Sequence, residues 1–497
     1  MLYQSTRGNV KRLAAAEAIA QGLSEDSGLF VPESFPQISA QTISEIASKP
    51  YKDIAAYIMG LFLEDFSAEE LTRCTGKAYS EPGFDHPDIA PLYKLDSSTH
   101  FLELWHGPTS AFKDMALQVL PHLLTASLRK TGEKREVCVL VATSGDTGKA
   151  ALEGFCGVPG TKIMVFYPLD GVSDVQKLQM TSQRGGNVNV VAVRGNFDDA
   201  QNGVKGIFAD GEMREKLDKQ GHFLSSANSI NVGRLIPQIA YYVSAYCNLL
   251  KTGEIGAGEK INFCVPTGNF GNILAAYYAE KMGLPIFKLI CASNRNDVLT
   301  QFINTGVYDR NRQFYTTVSP SMDILISSNL ERLLYETSGK DGGAVSGYMS
   351  SLSSYGRYTV PPPVREEISR VFACGMCSEE YTVKTIAETF QKHDYLIDTH
   401  TAVASKVLSD YREASGDGRK TVVVSTASPF KFCDSVITAL GYDGSAGGAA
   451  LIEKLAEITG CAAPAPLASL IDKTPRFNGA VETGGMKASV LDFIGGT

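Results

Sequence analysis

A lysine lies in the segment best suited to covalent chemistry. Lys113 stands in the run from His106 to Asp114, and the apolar spacing after it predicts a helix that begins near Thr109. The positive end of the helix dipole and the apolar neighbours, Phe112 among them, would both disfavour the charged ammonium. Such a lysine is a better nucleophile and Schiff-base former than an exposed one, although an ordinary solvated lysine on a helix face is the plainer alternative.

A glycine-rich turn, Thr143 to Gly148, follows the apolar run Val137 to Ala142 and precedes a helical pattern. Backbone amides and hydroxyls in such a turn can face an anion. A nucleotide-binding P-loop is excluded, because it would need glycine and a hydroxyl residue where Thr143 and Ala150 stand. A purely structural strand-to-helix turn remains open, since tight turns need glycine in any case.

A second turn of this kind, Pro266 to Asn272, follows the run Ile261 to Val265. Its G-x-x-G spacing lacks the third glycine of a dinucleotide site, and a monophosphate held by successive amides at a helix start fits better. Two anion-binding turns with a candidate lysine indicate a site for two anionic groups, one on a cofactor and one on a substrate.

Three further polar segments could contribute to that site. Asn228 to Arg234 could hold a phosphate or carboxylate, or could simply form a capped helix start with an exposed arginine. Thr426 follows the strand-like run Thr421 to Ser425, and the carboxyl ends of parallel strands face ligand crevices. His400 is predicted to be a hydrogen-bonded structural histidine rather than a catalyst.

The elements that must position these residues alternate between strand and helix patterns, which predicts an α/β fold with mostly parallel sheets covered by helices. Pro121 should kink the helix that carries Lys113 or cause a one-turn irregularity in it. The predicted strands are Val137 to Ala142, Ile163 to Tyr167, Val190 to Val193, Ile261 to Val265, Phe287 to Ala292 and Thr421 to Ser425.

Changes in composition and in the strand and helix pattern along the chain suggest three domains. Residues 1–95 lack a strong βαβ pattern and are predicted to form an amino-terminal α/β cap, residues 136–226 a small domain, and residues 96–135 with 227–497 a large domain. Residues 294–365 are polar, contain Gly342-Gly343 and Pro361 to Pro363, and are predicted to be a loop-rich insertion on the large domain.

Composition excludes several classes of protein. The 497 residues carry 46 Lys plus Arg against 54 Asp plus Glu, a net charge of −8, and no basic stripe, so a nucleic-acid partner is not expected. No signal peptide or membrane span is expected, because the amino terminus lacks an apolar core and the apolar runs are shorter than the roughly 20 residues a span requires. Ten scattered cysteines fit a reduced cytoplasmic protein, and the Cys374/Cys377 pair lacks the extra ligands of a metal site, so no metal is expected.

Taken in order, these segments resemble the threonine synthase family, in its longer form with an extra amino-terminal domain. The resemblance covers nearly the whole chain, including Ser5 to Gly8, Gly28 to Pro32, Val172 to Met180 and Ser321 to Asp323. It implies a two-lobed, fold-type II pyridoxal-phosphate enzyme similar to the tryptophan synthase β subunit, with pyridoxal 5'-phosphate as cofactor.

The resemblance also implies a role for each matching residue. Lys113 matches the lysine that forms the Schiff base and then serves as acid and base, next to Phe112. Asp146 lies near the ring hydroxyl and Thr426 at the pyridine nitrogen. The cofactor phosphate cradle matches Gly268, Asn269, Phe270, Gly271 and Asn272, and the substrate side matches Thr143, Ser144, Thr147, Asn228, Ser229 and Arg234.

The implied reaction is a β,γ-replacement that converts O-phospho-L-homoserine and water to L-threonine and phosphate, the last step of threonine biosynthesis. A phospho-lyase that releases 2-oxobutyrate, or a non-catalytic relative that binds the cofactor, remains an alternative. The chain departs from the family pattern at Ser428, usually His, and Phe430, usually Ala, which bears on rate and specificity. The oligomeric state, monomer or homodimer, is left open.

Overall fold

In the computed structural model, which describes residues 1–143, 145–170 and 172–495, helices cover a larger and a smaller β-sheet. The strands are β1 Tyr3–Ser5, β2 Phe30–Pro32, β3 Leu92–Lys94, β4 Thr99–Glu103, β5 Glu136–Ala142, β6 Thr161–Pro168, β7 Val188–Arg194, β8 His222–Ser226, β9 Ile261–Pro266, β10 Ile286–Ser293, β11 Val307–Asp309, β12 Arg357–Thr359, β13 Phe372–Met376, β14 Thr421–Ser425 and β15 Ala480–Glu482.

The helices account for most of the remaining chain. They are α1 Ala15–Gln21, α2 Ala40–Ile46, α3 Tyr51–Phe62, α4 Ala68–Ala78, α5 Asp114–Leu117, α6 Leu120–Thr131, α7 Asp146–Phe155, α8 Asp174–Thr181, α9 Phe197–Ala209, α10 Gly211–Lys219, α11 Val232–Lys251, α12 Gly271–Lys281, α13 Val298–Thr305, α14 Leu330–Thr337, α15 Gly342–Tyr355, α16 Pro362–Val371, α17 Glu379–His393, α18 Thr399–Ser415, α19 Cys433–Ala439, α20 Ala450–Thr459, α21 Ala465–Ala468 and α22 Met486–Gly495.

The larger sheet has six strands in the order β13-β10-β9-β14-β4-β3. All neighbours in it are parallel except β3 and β4. Its central strands are buried along their whole length, as continuous apolar, β-branched runs require. The six strands predicted from the sequence are confirmed: β9, β10 and β14 lie in this sheet, and β5, β6 and β7 lie in the smaller one. The predicted α/β class is confirmed as well.

The smaller sheet has five parallel strands in the order β15-β7-β6-β5-β8. Its edge strand β15 comes from the end of the chain, and α22 packs against α9 beside it. The amino-terminal segment contributes the antiparallel pair β1-β2 and helices α1 to α4, and α3 packs on α11. The division into residues 1–95, 136–226, and 96–135 with 227–497 stays a proposal. Strand β3, which the division assigns to the amino-terminal domain, joins the larger sheet, and β15, which it assigns to the large domain, joins the smaller sheet.

Two sequence-based predictions hold only in part. The helix begins at Asp114 rather than near Thr109, while the break between the four-residue α5 and α6 is the irregularity predicted at Pro121, the second residue of α6, a position that needs no amide hydrogen. About half of residues 294–365 are helical, and residues 310–329 are loop apart from a 3-10 turn at Pro320–Met322. There Gly342 begins α15 under an Asp341 cap and Pro362 begins α16, so these glycines and prolines mark helix starts.

All ten cysteines lie within the described residues and are free thiols. Burial raises the pKa of both Cys374 and Cys377 to about 11, so both thiols are protonated at neutral pH. Among the helices described, none is long and apolar enough to cross a membrane.

Candidate active site

Lys113 lies in a loop that is tied to the carboxyl end of β14. The amide of Phe112 donates to the carbonyl of Thr426 over 2.8 Å, and the amide of Ser428 donates to that of Ser110 over 3.1 Å. These bonds place Lys113 at the carboxyl edge of the larger sheet, where open parallel sheets bind ligands.

The ammonium of Lys113 is enclosed by polar and aromatic groups. Its Nζ lies 3.2 Å from Asp146 Oδ2, 3.4 Å from Ser321 Oγ and 5.0 Å from the centre of the Phe112 ring. Burial lowers the pKa of Lys113, although Asp146 opposes this effect. Because α5 has only four residues, desolvation rather than a helix dipole accounts for the lowered proton affinity.

Asp146, the first residue of α7, is shared by two lysines. Lys113 contacts Oδ2, while Lys431 lies 3.0 Å from Oδ1, and the amide of Gln176 also donates to Oδ1 over 2.8 Å. Burial by itself would raise the pKa of Asp146, but the two ammonium groups hold it well below its usual range. The carboxylate is therefore ionised whenever both lysines are charged.

Ser321 connects Lys113 to His400. Its hydroxyl lies 3.3 Å from Asp146 Oδ2, and its amide donates to His400 Nε2 over 3.2 Å. The other ring nitrogen of His400 donates to Asp398 Oδ2 over 2.8 Å, which fixes the tautomer. His400 is thus a buried, hydrogen-bonded histidine, as predicted, and it holds the backbone that carries Ser321.

The loop from Pro266 to Asn272 is a narrow turn between β9 and α12. Phe270 has a φ of +64°, and a Cβ at Gly268 would lie 2.5 Å from the carbonyl oxygen of Ser321. The first amides of α12, which begins at Gly271, have no acceptor inside the helix. The turn therefore presents amides that can bind an anion.

Asn272 carries a buried donor that is free to meet a ligand. Its Oδ1 accepts hydrogen bonds from the hydroxyls of Tyr241 and Tyr242, each over 2.6 Å. These bonds fix the side chain, and its Nδ2 is buried without a partner in the described part of the chain.

Arg234, on α11, is a buried cation. It is 4% exposed, its Nη1 donates to the carbonyl of Ala227 over 3.0 Å, and its Nε lacks a partner among the described residues. Burial lowers the pKa of Arg234 to about 10. Asn228 Oδ1 is likewise buried and unpaired within the described segments. The predicted alternative of an exposed arginine is therefore wrong.

Asn329 connects two candidate anion sites, the segment from Asn228 to Arg234 and the loop from Pro266 to Asn272. Its Nδ2 donates to Ser229 Oγ over 3.1 Å and to the carbonyl of Asn269 over 2.9 Å. The substrate-side segment and the loop after β9 are therefore held in one arrangement, although they are far apart in sequence.

The turn after β5 is held by its own threonine. Thr143 Oγ1 accepts from the amides of Gly145 and Gly148 over 3.0 and 2.9 Å, so this side chain caps the start of α7. Thr147, the second residue of α7, is partly exposed. Ser144, predicted on the substrate side, lies outside the described residues.

The turn after β14 contains the two departures from the family pattern. Ser428 Oγ accepts from the amide of Phe430 over 3.3 Å, and the Phe430 ring is buried in the core. Thr426 is 6% exposed. Both departures therefore serve the local turn and its packing.

Comparison with known proteins identifies the family. Three family models match: "Threonine synthase N terminus" over residues 2–79, "Pyridoxal-phosphate dependent enzyme" over 86–348 and "Threonine synthase, C-terminal" over 401–478. The threonine synthase of Schizosaccharomyces pombe is 38% identical over 467 residues, 88% of this chain and 89% of the relative. The chain belongs to the threonine synthase family.

Two further comparisons extend this assignment. The crystal structure of PLP-bound threonine synthase from Brucella melitensis aligns with a TM-score of 0.88 and 37% identity, covering 99% of each chain, which confirms the fold-type II architecture. Human threonine synthase-like 1 is 40% identical over 435 residues, 86% of this chain, and the chain spans 58% of that relative's length.

Sequence reasoning gave no site role to five residues that contact predicted site residues or each other: Lys431, Gln176, Gln179, Ser321 and Asn329. Lys431 was missed altogether, while Gln176, Gln179 and Ser321 lie in segments that match the family. The available signal was position: Lys431 lies shortly after the end of a central parallel strand, where Thr426 was already singled out.

Proposed function

We propose that this chain binds pyridoxal phosphate and converts O-phospho-L-homoserine and water into L-threonine and phosphate. The observation that carries the proposal is the placement of Lys113. This lysine has a lowered pKa and lies beside Asp146, at the sheet edge where the cradle and the Arg234 segment meet. Family membership supports the same conclusion.

The residues present fit the cofactor and an anionic substrate. Four buried polar atoms of this region have no partner in the residues described: Ser110 Oγ, Asn228 Oδ1, Arg234 Nε and Asn272 Nδ2. Unpaired buried polar atoms are unfavourable in a protein core, so these four atoms support the binding of a polar ligand at this site. Gly268 lets the loop pass close to the backbone of Ser321, because a Cβ there would lie 2.5 Å from the Ser321 carbonyl oxygen.

The resemblance to the family implies each proposed cofactor contact. Lys113 would hold the cofactor's aldehyde carbon, the amides of residues 268–272 its phosphate, and Thr426 its pyridine nitrogen. Asp146 would lie near the ring hydroxyl, and Phe112 beside Lys113. When bound, pyridoxal phosphate supplies an electron sink that weakens the bonds at Cα of an attached amino acid.

The chain's own residues would then bind the substrate and move protons. Arg234, with Asn228 and Ser229, would bind the phosphate that leaves from Cγ, and Thr143, Ser144 and Thr147 would line the rest of the substrate, as the resemblance implies. Lys113 would take protons from Cα and from Cβ. It would return one proton at Cγ after phosphate leaves, and one at Cα once water has added at Cβ. A buried amine with a lowered pKa suits repeated proton transfer near neutral pH.

A product assay tests this function. The purified chain, loaded with pyridoxal phosphate, is incubated with O-phosphohomoserine, and phosphate, threonine and 2-oxobutyrate are measured together. Equal amounts of phosphate and threonine are expected. Phosphate with 2-oxobutyrate would favour the phospho-lyase, and no turnover with bound cofactor would favour a non-catalytic relative.

Two lysine variants sharpen the assay. Lys113→Ala should abolish both turnover and the visible absorbance of the bound cofactor. Lys162→Met serves as the control, because Lys162 is also buried but bonds to carbonyls of α22. A Lys113→Ala protein that kept both signals would overturn the assignment. A cytoplasmic location and a monomeric or homodimeric state stay predictions.

A further inference from the structure

Lys431 is a buried cation for which the proposed reaction has no role. Its ammonium contacts three acceptors: the carbonyl of Thr109 at 2.8 Å, Gln179 Oε1 at 3.0 Å and Asp146 Oδ1 at 3.0 Å. Its side chain is fully buried. An ammonium has three hydrogens, so each is satisfied and the group is fixed.

The position of Lys431 matters because it shares a carboxylate with Lys113. The two lysines contact opposite oxygens of Asp146, and Gln176 adds a third donor. The negative charge of Asp146 is therefore divided between two cations. Without Lys431, that charge would act on Lys113 alone and would hold its proton more tightly.

We propose that Lys431 is a positioning residue for Lys113: it holds the Asp146 carboxylate and so eases the release of the proton from the Lys113 amine. The proposal rests on the proposed function in one respect, that the unprotonated Lys113 amine takes protons from the substrate. Its physical basis is the contact geometry of the two lysines and one carboxylate.

The other charged groups around this pair act in known directions. Lys113 is influenced by Asp146, Lys431 and Arg234, and both cations lower its pKa. Lys431 also lies near Asp114. Burial raises the pKa of Asp114 to about 6, and the charge of Lys431 opposes that rise. Among the described residues, Ser321 connects His400 to the pair. Removing the charge of Lys431 removes a like charge near Lys113 and leaves the Asp146 carboxylate to interact with Lys113 alone. Both effects raise the pKa of Lys113.

The test measures the proton affinity of Lys113 in the full chain freed of cofactor. Acetic anhydride labels the protein across a range of pH values, and mass spectrometry follows the peptide that contains Lys113. We expect Lys431→Met and Lys431→Gln to raise the apparent pKa of Lys113 by about one unit, which is roughly tenfold slower labelling below that pKa. Lys431→Arg, which keeps the charge, should keep the wild-type value.

Two further measurements keep the result decisive. Lys162→Met should leave the labelling of Lys113 unchanged, and circular dichroism confirms folding of each variant. Lys431→Gln retains a donor for the Thr109 carbonyl and replaces Lys431→Met if the latter unfolds. An unchanged Lys113 pKa in a folded neutral variant, or an equal shift in Lys431→Arg, would overturn the proposal. Because labelling needs no substrate, a failure to make threonine would bear only on the proposed reaction.

Discussion

Arg7 and Glu331 form a bidentate ion pair between the amino-terminal segment and α14. Arg7 Nε lies 2.9 Å from Glu331 Oε1, and Nη2 lies 2.8 Å from Oε2. The next residue, Arg332, is fully buried and donates to the carbonyls of Phe30 and Ile230 and to Asn329. The amino-terminal segment is thus connected to the residues that support both candidate anion sites.

Breaking this pair should destabilise the protein. Arg7→Ala leaves the Glu331 carboxylate, 5% exposed, without its cation, so we expect a loss of about 3 kcal/mol in the free energy of unfolding. Arg12→Ala is the control, because its pair with Glu33 is solvent-exposed and worth less than about 1 kcal/mol. Urea denaturation measures both; equal losses would contradict the distinction.

Gly268→Ala should weaken cofactor binding. Its Cβ would lie 2.5 Å from the carbonyl of Ser321, so one of the two loops must move, and we expect at least about tenfold lower affinity for pyridoxal phosphate. Fluorescence titration measures the affinity. Gly206→Ala is the matched control: its Cβ meets nothing within 4 Å inside α9, so it should stabilise the protein by up to about 1 kcal/mol. Unchanged affinity in Gly268→Ala would refute the cradle.

Arg234→Met should separate function from stability. Removing a guanidinium that would bind the substrate phosphate should lower kcat/KM roughly 100-fold. Because the charge is buried and no carboxylate among the described residues pairs with it, the free energy of unfolding should stay the same or rise. Arg214→Met, on the exposed surface of α10, should change neither. A sharp drop in stability in Arg234→Met would show that the residue is structural.

His106 should make stability depend on pH. Burial opposes its charge, but hydrogen bonds to Asp85 and Glu103 raise the pKa of His106 to about 9. An unfolded chain has a histidine pKa of about 6.5, so the folded protein binds this proton more tightly. Its contribution to the free energy of unfolding, about 3 kcal/mol, is complete below about pH 6.5 and is lost as the pH rises to about 9.

Urea denaturation of the wild type and of His106→Gln across this range measures the effect. The difference in unfolding free energy between the two proteins should shrink as the pH increases. A constant difference from pH 6 to pH 9.5 would contradict the assignment of this dependence to His106.

The sequence alone predicted six of the fifteen described strands and located the lysine segment and the two glycine turns. These features are local. Apolar runs such as Val137 to Ala142 form buried strands, and the first amides of a helix after a glycine turn are free, as at Gly271, unless a side chain such as Thr143 accepts from them. The same local reasoning failed at Gly342 and Pro362, because the residues that break a helix also start one.

Only the tertiary structure decided which side chains meet. Lys113 and Ser321 are 208 positions apart, and Thr109 and Lys431 are 322 apart, yet each pair is in hydrogen-bond contact. It also decided that Arg234 is buried and that Asp146 is shared by two lysines. Sequence spacing carries no signal for such contacts, because they arise when separate elements pack at one sheet edge, and the resulting desolvation sets the charge of each group.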